Sequence, residues 1–219
     1  GNKGMHQFVW DMRYPDAKGD TSATFEASLM GPLAVPGKYT AKMFIGDSLV
    51  GTQEFTIQKD PRNPATQQDL QAQFDMNKKI CDKLNEIAAA TELIRSVKSQ
   101  IAEHIEAESD ETKKENFEKA SKPIVDSLTA IEEQLYNPLI LAYEDNLKFP
   151  IMLEEKIAGL NYFLQMADTA PTKTMYTKYD DLTKRIDVQL NKLKQIVAGD
   201  IKSLNEMAGE QKSKAIDLD

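Results

Sequence analysis

Apolar and small residues recur at steps of mostly three and four from Pro64 to about Glu106, and this spacing predicts one uninterrupted helix. Neither glycine nor proline interrupts the pattern. At about 1.5 Å per residue, such a helix would span roughly 64 Å. A rod of that length requires later helices to fold back along it. Its inward positions are Leu70, Phe74, Asn77, Cys81, Leu84, Ala88, Thr91, Ile94, Val97, Ile101 and Ile105.

Three further segments carry apolar stripes of the same period, at about 110–136, 150–168 and 173–207. Together with the first helix they predict an antiparallel four-helix bundle over residues 65–219, with two unusually long helices. The connection at 139–149 would then join antiparallel neighbours.

Pro123 lies inside the second of these helices. Proline removes a backbone hydrogen bond and clashes with the preceding turn, at a cost of about 3 kcal/mol in a helix interior. We therefore expect either a kink at Pro123 or a helix that begins near Ser121.

The first sixty residues instead alternate with the two-residue period of strands. Strands are predicted at 6–14, 24–29, 38–45 and 49–59, and the last two form a hairpin around the tight turn Gly46-Asp47-Ser48. The residues expected to share inward faces are Phe8, Trp10, Met12 and Tyr14, then Phe25, Ala27 and Leu29, then Tyr39, Ala41, Met43 and Ile45 with Phe55 and Ile57.

Two prolines divide the chain into a β segment at 1–60, a Pro-rich hinge at 61–64 and the helical part at 65–219. Proline cannot donate to a strand ladder, so the last strand ends at the hinge. Pro64 suits the first turn of the long helix, and Thr66 followed by Asp69 is an alternative cap.

The segments Gly4–Pro15 and Gly31–Thr40 resemble the Ig-like module of flagellar hook-capping proteins. With Lys59–Arg62 and Asp69–Phe74, they resemble more closely the C-terminal region of large exported bacterial β-propeller proteins. Those proteins are of the sortilin-like or BNR-repeat glycosyl hydrolase type. The resemblance implies an Ig-like sandwich, an upstream β-propeller in the same polypeptide, and export to the periplasm or cell surface.

An Ig-like sandwich usually needs about seven strands, and the pattern supplies four. In one interpretation the sandwich is incomplete, with earlier strands upstream of Gly4 and an exposed edge open to strand addition. In the other, a smaller sheet packs on the helices. We favour the first, so the predicted class is α+β, with a small incomplete Ig-like β-sandwich before the helical bundle.

The formal net charge of −8 lies entirely in residues 63–219, which hold 20 basic and 28 acidic side chains. Phosphate-backbone binding needs clustered Lys and Arg, so we expect no nucleic-acid partner. No stretch approaches the roughly 20 apolar residues of a transmembrane helix. The single Cys81 falls within the long apolar stripe, which favours a small buried hydrophobe over a reactive thiol.

Motifs for metal, nucleotide or nucleophilic chemistry are absent from the sequence, so we expect no metal, no cofactor and no enzyme activity of the chain itself. His6 and His104 lie in different predicted parts, without ligand spacing around either. A glycosidase needs two carboxylates beside a cleft, and Asp11 with Asp16 is the nearest pair in a β setting.

Trp10, Asp11 and Tyr14 are the candidate surface contacts, because two aromatic rings beside a carboxylate could bind a sugar. Burial of both rings in the sheet interior is the stronger interpretation, since they share a face with Phe8 and Met12. We expect a non-catalytic accessory, interaction and scaffolding region of a larger exported β-propeller protein. The alternative is a contribution to a carbohydrate-active site formed with the propeller.

Overall fold

The structure is a computed structural model that describes residues 4–19, 26–210 and 215–218. Its strands are β1 (Gly37–Ile45) and β2 (Ser48–Ile57). Its helices are α1 (Gln67–Ala107), α2 (Glu111–Leu135), α3 (Leu153–Leu164), α4 (Lys173–Ile196) and α5 (Lys202–Glu210), with a 3-10 turn at Tyr143–Leu147 and a π turn at Val197–Ile201.

The described fold is mostly helical and contains one two-stranded sheet, so the predicted Ig-like sandwich is wrong. The helices pack around one apolar core, which agrees loosely with the predicted four-helix bundle.

Helix α1 begins after a capping box, in which Thr66 Oγ1 accepts the Asp69 N–H and Asp69 Oδ2 accepts the Thr66 N–H at 2.8 Å. This confirms Thr66 as the cap, and Pro64 lies before the helix. All eleven predicted inward positions of α1 are buried or half-buried. The long apolar period therefore predicts both the helix and its core face.

Helix α2 is continuous across Pro123 and is capped by Asp110, whose side chain accepts the N–H groups of Thr112 and Lys113. The alternative start near Ser121 is therefore wrong. The Ser127 hydroxyl donates to the Pro123 carbonyl at 2.8 Å, within the same helix.

Side-chain pairs show that α2 runs antiparallel to α1. His104 stacks on Phe117 near the turn between the helices, and Arg95, further back along α1, pairs with Glu132 at 2.7 Å. Burial raises the pKa of Glu132, but hydrogen bonds and charge from Arg95 and Lys98 outweigh it, so that pKa is lowered. Glu132 is thus held ionised between two helices.

Helix α3 also runs antiparallel to α1, but along its first half. Asn161 bonds to Asn77, and Gln73 donates to the Leu164 carbonyl at 2.7 Å. Helices α2 and α3 therefore follow one another in the same direction, and the expected antiparallel arrangement across 139–149 is wrong.

Helix α4 runs parallel to α1. The Tyr179 hydroxyl donates to the Lys79 carbonyl, and Lys83 pairs with Asp187 at 2.8 Å. Along α1, the neighbouring helix is therefore α3 on the first half and α2 on the second, and α4 contacts both α2 and α3. The predicted single helix to about 207 is divided by the π turn, which places the buried Ile201 five positions after the buried Ile196.

The described residues form no strand at 6–14 or 26–29, and Tyr14, Ala17 and Leu29 instead pack on the helices. The one described bridge of this segment is Arg13 with Leu33, and residues 20–25 lie outside the described part of the chain. Met12 has a φ of 61°, which ends the strand alternation. The Ser28 N–H donates to the Ala158 carbonyl at 3.0 Å, so this segment follows α3.

Glu155 on α3 is 2% exposed, and its Oε2 accepts the Met152 N–H at 2.8 Å. Among the described residues, nothing donates to Oε1. Burial raises the pKa of this carboxyl more than its backbone hydrogen bonds lower it. The ionised form is therefore disfavoured in the folded protein.

Glu155→Gln is expected to increase the free energy of unfolding at neutral pH. A raised folded-state pKa means that the stability contributed by Glu155 is full below its ordinary pKa of about 4.3 and is lost as pH rises through the folded-state value. Glutamine keeps the cap acceptor without the charge. Urea denaturation from pH 4 to 8 should show a gain that disappears at the acid end. The exposed Glu133→Gln is the control, and an equal gain there would contradict the assignment.

Candidate interaction surface

The hairpin extends away from the helices and carries an apolar face that most of the molecule leaves uncovered. By strand alternation Tyr39, Ala41, Met43 and Ile45 share this face, and Phe55 lies opposite Tyr39 with the rings stacked at 5.9 Å. We call these five residues the hairpin strip. Met43 is 62% and Ile45 66% exposed. The predicted hairpin is confirmed, but the inward assignment is wrong for its outer half.

Three local features shape the outer half of the hairpin. Gly46 adopts a φ of 57° in the turn, which favours glycine. Gly51 lies opposite Met43, so no cross-strand side chain covers that methionine. The register shifts between Met43 and Phe44, which leaves Val50 as the extra residue of β2.

Trp10 covers only the base of the hairpin strip. Its ring centroid lies 5.9 Å from that of Tyr39 and 6.2 Å from that of Phe55, and its Nε1 donates to the Arg13 carbonyl at 2.7 Å. Tyr14 instead packs edge-on against Phe74 of α1 at 5.0 Å. Trp10 and Tyr14 therefore pack against different elements, and the described residues form no sheet interior that buries both rings.

Asp11 and Asp16, the nearest pair of carboxylates in the β segment, each accept a hydrogen bond from a backbone N–H group. Asp11 Oδ1 accepts the Arg13 N–H at 2.9 Å, and Asp16 Oδ1 accepts the Gly31 N–H at 2.8 Å. Asp11 and Asp16 thus help to shape the N-terminal segment.

Phe8, which was expected to share a face with Trp10, is 89% exposed.

A second feature is a cavity of about 180 Å³, which we call the junction cleft. It lies where the N-terminal segment, the hairpin base, the hinge, the start of α1 and the end of α3 meet. Its apolar walls include Leu33, Val35, Pro36, Ile57, Leu70 and Phe74. Arg13, Asn77 and Gln165 supply polar groups.

Buried amides beside the junction cleft hold the N-terminal segment to the bundle. Asn161 is fully buried and donates to the carbonyls of Ser28 at 2.9 Å and Met30 at 3.1 Å, while its Oδ1 accepts from Asn77. Gln165 Nε2 also donates to the Met30 carbonyl, and its Oε1 accepts from Arg13 at 2.7 Å.

The sequence pattern does not predict this network, because Asn77 is only one of the inward positions of α1 and Asn161 belongs to no motif. The signal for it is an asparagine at an apolar position of a helix, because a buried amide needs partners from another element.

Cys81 and His104 are both packed within the helical part of the chain. Cys81 is buried, as predicted, and burial together with nearby Asp82 and Asp16 raises the pKa of its thiol to about 11. His104 stacks on Phe117 with centroids 3.8 Å apart. His6 lies in the exposed N-terminal segment. Within the described ranges, no group of three or more His, Cys, Asp or Glu side chains is placed to hold a metal ion.

Comparison of the chain with protein-family models, curated proteins and solved structures found no match. The resemblance to exported β-propeller proteins therefore stays a prediction. In the part of the chain that the structure describes, no helix has the length and apolar character needed to cross a bilayer.

Proposed function

We propose that this chain is a non-catalytic accessory and scaffolding region of a larger exported β-propeller protein, and that the hairpin strip is its contact surface. The exposed apolar face of the hairpin is the observation that carries the proposal. The family resemblance supplies the partner, which is the β-propeller of the same polypeptide.

An exposed apolar hairpin face favours an interaction role. An isolated two-stranded hairpin is at best marginally stable in water, and clustered exposed apolar side chains mark interaction surfaces. Covering an aliphatic side chain contributes about 1.5–3 kcal/mol. Met43 and Ile45 together therefore offer a substantial part of the binding energy of an interface.

The hairpin also offers backbone groups for pairing. Within the described residues the sheet contains β1 and β2 alone, so each strand has an outer edge that pairs with no further strand. Lys38 and Lys42 lie on β1, and lysines are typical of edges protected from pairing. We therefore propose the β2 edge for strand addition.

The helical part suits a scaffold. Helix α1 has 41 residues, which corresponds to about 60 Å at 1.5 Å per residue. The hairpin is joined to the start of this helix through the hinge, where Lys59 Nζ donates to the Asn63 carbonyl at 2.8 Å and Gln67 donates to the Pro36 carbonyl at 2.7 Å. These bonds fix the hairpin to one end of the rod.

The alternative, a contribution to a carbohydrate-active site, is not favoured by the geometry. Asp11 and Asp16 bind backbone N–H groups, and Trp10 packs on the hairpin. We therefore do not propose it.

The test compares hydrogen exchange of the hairpin amides in residues 1–219 alone and in the full-length protein. The coding sequence upstream of Gly4 is expected to contain propeller repeats, and the hairpin amides are expected to exchange about tenfold more slowly in the full-length protein, because covering the strip hinders local opening. Absence of propeller repeats, or equal exchange in the two proteins, would overturn the proposal.

A double variant tests whether the hairpin strip is the surface that gives this added protection. Met43→Thr with Ile45→Thr keeps β propensity and removes apolar area, so it should abolish the added protection in the full-length protein. Leu141→Thr is the matched control, since Leu141 is an exposed leucine far along the chain from the hairpin. Retained protection in the double variant would assign the contact to another surface.

A further inference from the structure

We infer that two copies of this chain pair through the face of the hairpin opposite the hairpin strip, which we call the outer face. The contact goes beyond the proposed function, because the propeller contact uses the strip. By strand alternation and register, the outer face consists of Lys38, Thr40, Lys42 and Phe44 of β1, opposite Thr56, Glu54, Thr52 and Leu49 of β2.

The outer face is open along its whole length. Each of its eight residues is exposed, whereas Trp10 covers the base of the hairpin strip on the other side. A second copy can therefore approach the outer face in any register, and the residues on that face decide which register is preferred.

The apolar residues of the outer face are paired near the tip of the hairpin. Phe44 is 56% and Leu49 is 52% exposed, and the two lie directly opposite each other. Regular pairing would place Val50 opposite Phe44 and turn Leu49 towards the strip, but the register shift brings Leu49 to the outer face. We call Phe44 and Leu49 the tip pair.

Opposite charges flank the tip pair. Lys42 lies two residues before Phe44, and Asp47, in the turn, lies two residues before Leu49. At about 3.3 Å per residue, each charge is about 7 Å from the tip pair along the hairpin, in opposite directions. Among the described residues, neither Lys42 nor Asp47 forms an ion pair.

This order of charges is self-complementary. When two outer faces meet antiparallel with a two-fold axis at the tip pair, each apolar residue meets its own counterpart. Each Lys42 then faces Asp47 of the second copy, because the two charges lie at equal distances from the axis. An axis at Lys42 would instead bring two lysines together. The charges therefore select the register that also joins the apolar residues.

The charge of the helical part favours the antiparallel arrangement. Residues 63–219 carry the whole net charge of −8. Antiparallel hairpins place the two helical parts at opposite ends of the contact, whereas parallel hairpins would bring them side by side. Repulsion between the helical parts therefore disfavours the parallel arrangement.

The contact is small, so the dimer is weak. The overlap covers a patch about 17 Å long and about 10 Å wide, two strands across. A stable interface buries roughly 800 Å² on each partner, and this patch is several times smaller. We expect a dissociation constant on the order of 0.1 mM.

The first test is sedimentation velocity of residues 1–219 in low-salt buffer, from about 10 µM to about 1 mM, across the expected dissociation constant. Phe44→Thr with Leu49→Thr keeps β propensity and should weaken dimerisation at least about tenfold, because the apolar centre is lost. Met43→Thr with Ile45→Thr, on the strip face, is the matched control and should leave dimerisation unchanged.

The second test reverses the charges. Lys42→Asp and Asp47→Lys should each weaken self-association about tenfold, since two attractive pairs become repulsive. An equimolar mixture of these two variants should associate again, because both ion pairs then form between different chains with their signs reversed. Lys38→Asp, on the same face but outside the overlap, should have no such effect.

Four results would overturn the inference: a sedimentation coefficient independent of concentration, dimerisation retained in Phe44→Thr with Leu49→Thr, dimerisation lost in the strip variant, or no recovery in the mixture. Circular dichroism of each variant checks that it is folded. These experiments need neither the propeller nor the hairpin strip, so their failure is distinguishable from failure of the proposed function.

Discussion

Replacing Asn161 by alanine is expected to lower the free energy of unfolding by about 3–4 kcal/mol, because three buried hydrogen bonds are lost and their partners stay buried. The Asn161 amide joins the carbonyls of Ser28 and Met30 to Asn77 from a position of 0% exposure. Alanine removes both the donor and the acceptor. The loss should appear in urea denaturation followed by circular dichroism.

The same substitution should release the N-terminal segment from α3. The Ser28 N–H, which donates to the Ala158 carbonyl, is expected to lose protection from hydrogen exchange in Asn161→Ala. Asn85→Ala is the control: Asn85 is an exposed amide that accepts the Lys18 N–H at 2.7 Å from the same segment. It should cost under about 1 kcal/mol. Equal losses in the two variants would contradict a special role for the buried amide.

Phe117→Ala is expected to lower the free energy of unfolding by about 3–5 kcal/mol, the usual cost of removing a buried aromatic ring. Phe117 is fully buried and stacks on His104 close to the turn between α1 and α2. Its loss leaves a cavity where the two helices join. Guanidinium denaturation measures the change, and hydrogen exchange should locate the added opening at the ends of these helices.

Phe163→Ala serves as the comparison, because Phe163 is exposed on α3 and its described ring contact is with the neighbouring Tyr162. We expect it to cost less than about 1 kcal/mol. A difference between the two alanine variants smaller than about 1 kcal/mol would show that the helix junction does not depend on the Phe117 ring.

The helical half could be predicted because its apolar pattern is long and its caps depend on residues close together in the sequence. An apolar period sustained over 41 residues has one structural solution, and the Thr66–Asp69 box marks where it begins. Helix α2 lies within the predicted 110–136, with Asp110 as its cap. These features depend on residues three or four apart, which the sequence displays directly.

The alternation of apolar and polar residues alone could not show whether the strands form a sandwich. A strand pattern identifies two faces but not the element that covers either one. Arg13 bonds to Gln165 at the end of α3, and the positive φ of Met12 breaks the alternation. In the hairpin, Tyr39 and Met43 share a face, yet Trp10 covers only the first of them.

The site depends on contacts between distant residues, and no local pattern reports these. Met30, Asn77 and Asn161 meet only because α3 lies antiparallel against the first half of α1. The choice between that arrangement and a regular bundle is made by the connection between α2 and α3. Its composition does not fix the direction in which α3 leaves.

The described C-terminal residues are held at a fixed position beside α1. Asn205 bonds to both the N–H and the carbonyl of Ile216, and Gln100 does the same for Asp217. The chain is thereby fastened beside the far half of α1, about 50 Å along that helix from Gln67. A group attached at Asp217 and a partner seated on the hairpin would stand at opposite ends of this span. A pair of fluorophores placed there would serve as a fixed molecular ruler.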